Sequence, residues 1–371
     1  MKRTMCFLIA FIILLQIPMR CLNAQECESK INVVCQMASN YSPKKESFII
    51  ASERRLQAVG CEQSFYTLYE FSPYGYMIFY GDSLIVMEAA FTNDSRDPFY
   101  TAENESKDSF YYGGPGHYFY LKDGVLFEIG SNTIVDNKKQ LAISNKMSHT
   151  DDVLKESIIN SSNGHSPKVG VLTTMIESDY FMNLINQFGD NTSNTCTTVA
   201  TCILLGYYDV FVDDSFVSSL FRDGIGTTQG FHDYMAYNYI DPDYNGAFIS
   251  AAATGMNNYF NTINLDATAT CVTGPNPTGP AQTVSTVIAS ISNGYPLIAN
   301  MNKNVLGAPY EHSVVVYGVA INAYNPPATQ VCFIVHMGWR NSSASMRQLY
   351  CSSLWFWDSS YITFDGENEI D

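Results

Sequence analysis

The change of character at Cys196 constrains this chain more than any other feature. Residues 189–195 read Gly-Asp-Asn-Thr-Ser-Asn-Thr, polar and turn-forming, whereas Cys196 to Asp209 runs almost wholly apolar: Cys-Thr-Thr-Val-Ala-Thr-Cys-Ile-Leu-Leu-Gly-Tyr-Tyr-Asp. Asn194 and Thr195 are good helix-capping types, so the pattern predicts a helix whose first turn holds Cys196. Val199, Ile203, Leu204 and Tyr207 leave little of its surface polar, which makes it a core helix. A thiol in that first turn meets backbone N–H groups and the positive end of the helix dipole, and both favour the thiolate. Cys202, deeper in the same run, is expected to be a buried structural cysteine.

Composition supplies the material to bury such a helix. The chain has 371 residues, 46% hydrophobic and 15% charged, with 25 Tyr and 22 Phe, which excludes a mainly disordered polypeptide. That length allows two domains, or one domain with an extension. The 36 Asp and Glu outweigh 20 Lys and Arg, giving a net charge of −16. A surface this acidic excludes nucleic acid and anionic lipid as the main partner.

The amino terminus reads as an export signal. Lys2 and Arg3 precede the apolar run Phe7–Leu15, and Cys21-Leu22-Asn23-Ala24 ends on a small residue suited to cleavage. The run is shorter than the roughly 20 apolar residues a membrane span needs. Residues 1–24 are therefore expected to be a signal peptide and the remainder secreted, with no membrane role beyond export. Outside the cell the cysteines face an oxidising setting, yet their spacing shows no CxxC and no zinc pattern. Asp241-Pro-Asp243-Tyr-Asn245-Gly246 begins like a calcium loop, but its twelfth position is Ala252 rather than Glu. No HExxH, P-loop or dinucleotide fingerprint occurs, so neither a metal nor a cofactor is expected.

The rest divides into two halves. Residues 25–165 read as short aromatic strands. Phe65–Phe71 and Tyr76–Tyr80 form a predicted hairpin about Ser72-Pro73-Tyr74-Gly75, and Leu84–Glu88 follows as a third strand. From His149 to Lys168 the sequence turns polar and loop-like, which places the boundary near residue 165. Residues 166–371 hold the candidate chemistry. A thiolate needs a base, and three histidines follow Cys196. His312 opens the Val-rich strand His-Ser-Val-Val-Val-Tyr-Gly, and His336 closes the strand Val-Cys-Phe-Ile-Val-His. His232 reads as part of a helix start and is expected to be structural.

Together these segments resemble papain-like cysteine peptidases of the bacterial C10/C39-like type, and more closely the secreted cysteine peptidases of Firmicutes. The likeness lies in Gly189-Asp-Asn, in Thr195-Cys196 through Leu204-Leu205-Gly206-Tyr207-Tyr208-Asp209, in Tyr295-Pro-Leu-Ile-Ala-Asn300, in His312-Ser-Val-Val-Val-Tyr-Gly, and in His336-Met-Gly-Trp339. It implies an α+β papain-like fold, a helical lobe packed on an antiparallel sheet, preceded by a strand-rich propeptide-like domain that covers the cleft until export. It implies hydrolysis of protein or peptide substrates through an acyl-enzyme, with Cys196 as nucleophile and His312 as general base.

His336 falls where the family usually has the Asn that orients the base, and Asn300 or Asn341 could serve instead. Thr197 stands where many relatives carry Gly. The oxyanion donor implied by the family, a side-chain amide about one turn before the nucleophile, falls on Asn191, or on Gln187 further back. The same dyad could serve an acyltransferase or a transglutaminase, and the departure at His336 leaves open a catalytically silent binding protein on the same scaffold.

Overall fold

The computed structural model describes residues 30–92, 95–102, 109–129, 131–161, 171–177, 179–184, 195–223, 226–243, 246–273, 281–301, 312–323, 329–338 and 348–363. The first described element is a helix, α1 (30–41), where the sequence suggested only strands. Val34, Met37, Ala38 and Tyr41 recur at three- and four-residue spacing and are all buried, so one apolar stripe holds it to the core. Next come β1 (Ile49–Ala58), β2 (Cys61–Ser72), β3 (Tyr76–Tyr80) and β4 (Val86–Ala90). The expected hairpin is there, with Tyr66 opposite Tyr80 and Glu70 opposite Tyr76. β5 (Ser109–Tyr112) lies parallel to β1, and β6 (Tyr118–Lys122) and β7 (Val125–Glu128) complete this side.

The second helix corrects the sequence reading. A loop was expected from His149 to Lys168, but α2 (Asn137–Ser161) runs through the first part of that stretch, and residues 162–168 lie outside those described. Its anchors are sparse. Ile143, Met147 and Leu154 are buried on one face, and the fourth member of that row is the acid Asp151. Asp151 Oδ1 accepts hydrogen bonds from Ser64 Oγ at 2.5 Å and from the Tyr80 hydroxyl, while Lys155 one turn on pairs with Oδ2. A helix held partly by a buried carboxylate looks like a polar linker when only apolar residues are counted.

β8 (Val171–Met175), α3 (Cys196–Phe211) and a two-stranded ribbon, β9 (Arg222–Asp223) and β10 (Gly226–Thr227), lead into the second half. There follow α4 (Gln229–Met235), α5 (Ile249–Ile263), β11 (Thr268–Thr273), α6 (Ala281–Ser292), β12 (Leu297–Met301), β13 (His312–Ala323), β14 (Thr329–His336), β15 (Leu349–Ser352) and β16 (Phe356–Thr363). The architecture is α+β, with helices packed on an antiparallel sheet in this half. Among the described residues no helix is long and apolar enough to cross a membrane.

The two halves share one sheet. Its order is β11-β16-β12-β13-β14-β15-β4-β3-β2-β1-β5-β6-β7, with β8 also on β13. The seam is the β15–β4 pair, where Leu349 faces Ala90 and Cys351 faces Glu88. Side chains lace the same seam. Gln330 bonds both main-chain groups of Val86, Trp355 Nε1 donates to the Met87 carbonyl at 3.3 Å, and the Tyr350 hydroxyl donates to the Tyr41 carbonyl at 2.8 Å. Behind the seam Glu88 is fully buried. Its Oε1 accepts from the Tyr76 hydroxyl at 2.7 Å and from the Tyr118 hydroxyl, and its Oε2 accepts from the Tyr112 hydroxyl at 3.0 Å.

β13 is the long central strand, and it changes partner partway along. Leu297–Met301 of β12 pair with Val316–His312, and then Met175–Val171 of β8 pair with Gly318–Asn322 on the same edge. Gly318 sits at the handover, where a Cβ would stand 2.8 Å from the Thr174 carbonyl oxygen and 2.9 Å from Ile334 Cδ1. Gly318→Ala is expected to destabilise the chain by about 1–3 kcal/mol, because backbone on one side and a packed side chain on the other must both shift. A urea midpoint equal to that of the wild type would contradict this.

Candidate active site

α3 begins at Cys196 itself. Thr195 occupies the N-cap, with φ −94° and ψ 21°, and its side chain makes no cap hydrogen bond to the first turn. From Thr197 to Asp209 the helix is buried, as its apolar sequence requires. Its inner end is fixed by Asp209, whose carboxylate takes Arg222 Nη2 at 2.9 Å, Arg222 Nε at 2.8 Å and the Val217 amide at 2.8 Å. The outer end thereby carries the partly exposed thiol to one rim of the sheet. That rim is where β13 starts with His312 and where β14, running the other way, ends with His336.

Cys196 and His312 meet there. The His312 side chain lies within hydrogen-bonding reach of the thiol, as do the Ser313 amide and the Thr197 hydroxyl. Burial by itself would push this thiol up. The histidine's hydrogen bond and charge, helped by the Ser313 and Thr197 donors, outweigh burial and bring it from an ordinary 9.0 to about 7. Cys202, six residues on and fully buried, is pushed the other way by desolvation, well above the ordinary thiol range.

His312 is held from its far side by main chain. Its Nε2 lies 2.9 Å from the Met337 carbonyl oxygen. A carbonyl only accepts, so Nε2 carries the proton, and Nδ1 is the atom left to face the sulfur. His336 does not fill that place. Its Nδ1 accepts the Gly338 amide at 2.9 Å, which secures the turn that presents the Met337 carbonyl. Asn300 lies opposite Ser313 on β12, and its Oδ1 accepts from Ser313 Oγ at 2.5 Å. Asn341, Asn191 and Gln187 lie outside the described residues. His232 is engaged on α4, 3.0 Å from both Gln229 Nε2 and Asp233 Oδ1.

Sequence reasoning could not have found the Met337 carbonyl or the Ser313 amide, because every residue carries those groups. Thr197 did leave a signal, a hydroxyl residue where a glycine is commoner. Asp241 of the suspected calcium loop accepts the Gly246 amide at 2.8 Å, and no metal-binding cluster occurs among the described residues.

A depressed thiol is directly measurable. The rate at which Cys196 is alkylated by iodoacetamide should climb with pH through a midpoint near 7 and level off above it, because the thiolate is the reacting form. An isolated thiol would still be gaining reactivity near 8.5. Site-resolved mass spectrometry that places the Cys196 midpoint there would contradict the geometry.

No curated protein matches this chain. A fragment of prointerpain A from Prevotella intermedia is a structural neighbour at 14% sequence identity and a TM-score of 0.42, covering 83% of this chain and 97% of that one. Residues 181–352, from the segment ahead of Cys196 through β15, match the model of the Peptidase_C39 like family, which supports a cysteine-peptidase type for this half.

Proposed function

We propose that the chain is an exported cysteine peptidase working through Cys196 and His312. The observation that carries this reading is the position of His312, between the Cys196 thiol and the Met337 carbonyl. Held by its Nε2–H, the ring presents Nδ1 to the sulfur and accepts its proton, giving a thiolate beside an imidazolium. The thiolate attacks the peptide carbonyl carbon, and the main-chain N–H at the head of α3 is one donor to the oxyanion that forms. As the tetrahedral species collapses, His312 gives its Nδ1 proton to the leaving amine, and a thioester remains on Cys196. His312 then takes a proton from water, the resulting hydroxide attacks the thioester, and the carboxylic acid product leaves. Asn191, or Gln187, is proposed as the second oxyanion donor, and His336 as the residue that sets the turn behind the base. The motif likeness to secreted Firmicutes peptidases supports export and protein substrates.

A peptidyl electrophile directed at thiols tests this. It should label Cys196 alone among the cysteines, and labelling should fall sharply in His312→Ala. Labelling spread over other cysteines, or unchanged in His312→Ala, would overturn the dyad. Acyl transfer to an added amine in preference to water would identify an acyltransferase instead.

The amino-terminal half is proposed to be a propeptide-like unit, with a cut between α2 and β8. Those elements end at Ser161 and begin at Val171, so a cut between them breaks neither. If the cut is self-made, Cys196→Ala will accumulate uncut. The β4–β15 seam should keep the two pieces together, so they are expected to co-elute in gel filtration and to part only in denaturant. Pieces that separate in native buffer would show that the seam does not hold them.

A further inference from the structure

We propose that Thr197 is a switchable hydrogen-bond donor to the reacting sulfur beside His312 and the Ser313 amide, its one hydroxyl proton turning between the Ala247 carbonyl and the Cys196 thiolate. This inference rests on the reading of Cys196 as nucleophile. It comes from counting protons around the hydroxyl. Thr197 Oγ1 is 2.6 Å from the Ala247 carbonyl oxygen and 2.8 Å from Ser313 Oγ, and it lies within reach of the Cys196 sulfur. Ser313 supplies no proton to Thr197, because its own is committed to Asn300 Oδ1 at 2.5 Å. Ser313 Oγ therefore meets Thr197 as an acceptor. Three acceptors surround one donor, and a hydroxyl carries a single proton.

The chemistry of the sulfur decides among them. A neutral thiol is a weak acceptor, so with Cys196 protonated the hydroxyl is best spent on the Ala247 carbonyl. A thiolate carries a full charge, and a hydrogen bond to an ionised partner is roughly twice as strong as one between neutral groups. Ionisation of Cys196 turns the hydroxyl to the sulfur, and acylation of the sulfur sends it back. The proton moves by rotation about the C–O bond, without a change of side-chain rotamer. Among the described residues the ionisable group facing the sulfur is His312 on β13. The first turn of α3 contributes no acid, and His336 on β14 is turned to the Gly338 amide. A neutral donor on the helix itself stabilises the thiolate without adding another group that titrates.

Two substitutions separate the hydroxyl from the methyl group beside it. Thr197→Val keeps the shape and loses the donor, whereas Thr197→Ser keeps the donor and loses the methyl. In Thr197→Val the midpoint of Cys196 alkylation by iodoacetamide is expected to rise by about one pH unit, as the loss of one hydrogen bond to a charged group implies. On a peptide substrate its kcat should fall about tenfold while KM changes less than about twofold, because the donor acts on the sulfur and not on ground-state binding. Thr197→Ser should restore both.

If Thr197→Val does not fold, Thr197→Ala against Thr197→Ser isolates the hydroxyl in the same way. A valine variant with the wild-type midpoint and kcat overturns the proposal, and so does a serine variant as impaired as the valine. Failure of the underlying reading looks different: wild-type Cys196 itself would titrate as an ordinary thiol, or Cys196→Ala would still hydrolyse peptide.

Discussion

Cys196→Ala is expected to lower peptide hydrolysis by about 10⁴-fold or more, because removing a covalent nucleophile leaves only binding and oxyanion stabilisation. The fold should survive. Alanine is the best helix former, and the thiol it replaces is partly exposed at the first turn of α3 rather than packed in its core. His312→Ala should cost a comparable factor, since the thiolate loses both its proton acceptor and the charge that holds its pKa down. His336→Asn belongs at the other extreme. The group behind His312 Nε2 is the Met337 carbonyl, and the side-chain oxygen of an asparagine at 336 can accept the Gly338 amide as His336 Nδ1 does, so the turn should hold and activity should stay within a few-fold of wild type. Circular dichroism and turnover of an unstructured protein substrate decide all three. Retained turnover in purified Cys196→Ala sinks the assignment. A dead His336→Asn beside an active His312→Asn reverses the two roles.

Glu88→Ala is expected to be the most damaging single change to stability, at about 3–5 kcal/mol. The carboxylate is fully buried and accepts from three phenols, so its removal leaves three buried hydroxyls without their acceptor as well as a void. Burial and the carboxylate's charge together hold the Tyr76, Tyr112 and Tyr118 phenols well above the ordinary tyrosine range, so they cannot relieve the loss by ionising. Glu88→Gln should cost markedly less, about 1–2 kcal/mol. An amide oxygen at the Oε1 position keeps Tyr76 and Tyr118, and the amide nitrogen can donate to the Tyr112 oxygen. Urea titrations of the two variants test the ordering. Equal midpoints for Ala and Gln, both of which lack the charge, would mean that the amide's hydrogen bonds recover nothing, and a wild-type midpoint in Glu88→Ala would mean that the cluster contributes nothing.

The parts legible in the sequence were those written in local pattern. An abrupt polar-to-apolar change marked the head of α3, and β-branched runs marked the strands that carry His312 and His336. Aromatic alternation about a Pro-Gly turn gave the β2–β3 hairpin. What escaped has three physical causes. α2 is anchored by Asp151 as much as by Ile143, Met147 and Leu154, and a buried acid has the same one-letter code as a solvated one. The joining of the two halves into one sheet is a pairing of residues 88–90 with 349–351, separated by most of the chain, and no local signal records it. The partner of His312 is a peptide carbonyl, whose presence at a point in space depends on the path of the chain and not on the residue that bears it.

Where a side chain orients the base, one codon fixes the function. Here the orienting dipole belongs to a peptide unit, so residue 337 can be exchanged widely, and residue 336 among side chains that accept the Gly338 amide, provided the backbone reverses where it does. The constraint is displaced onto Gly338, whose φ of 78° lies in the left-handed region and whose missing Cβ would stand 3.1 Å from Val199 Cγ1 on α3. A side chain there would press on the helix that bears Cys196 while straining the turn that aims the carbonyl. In the proposed mechanism the third position is thus held by a glycine as much as by a polar residue, and an inventory of polar groups alone would miss it.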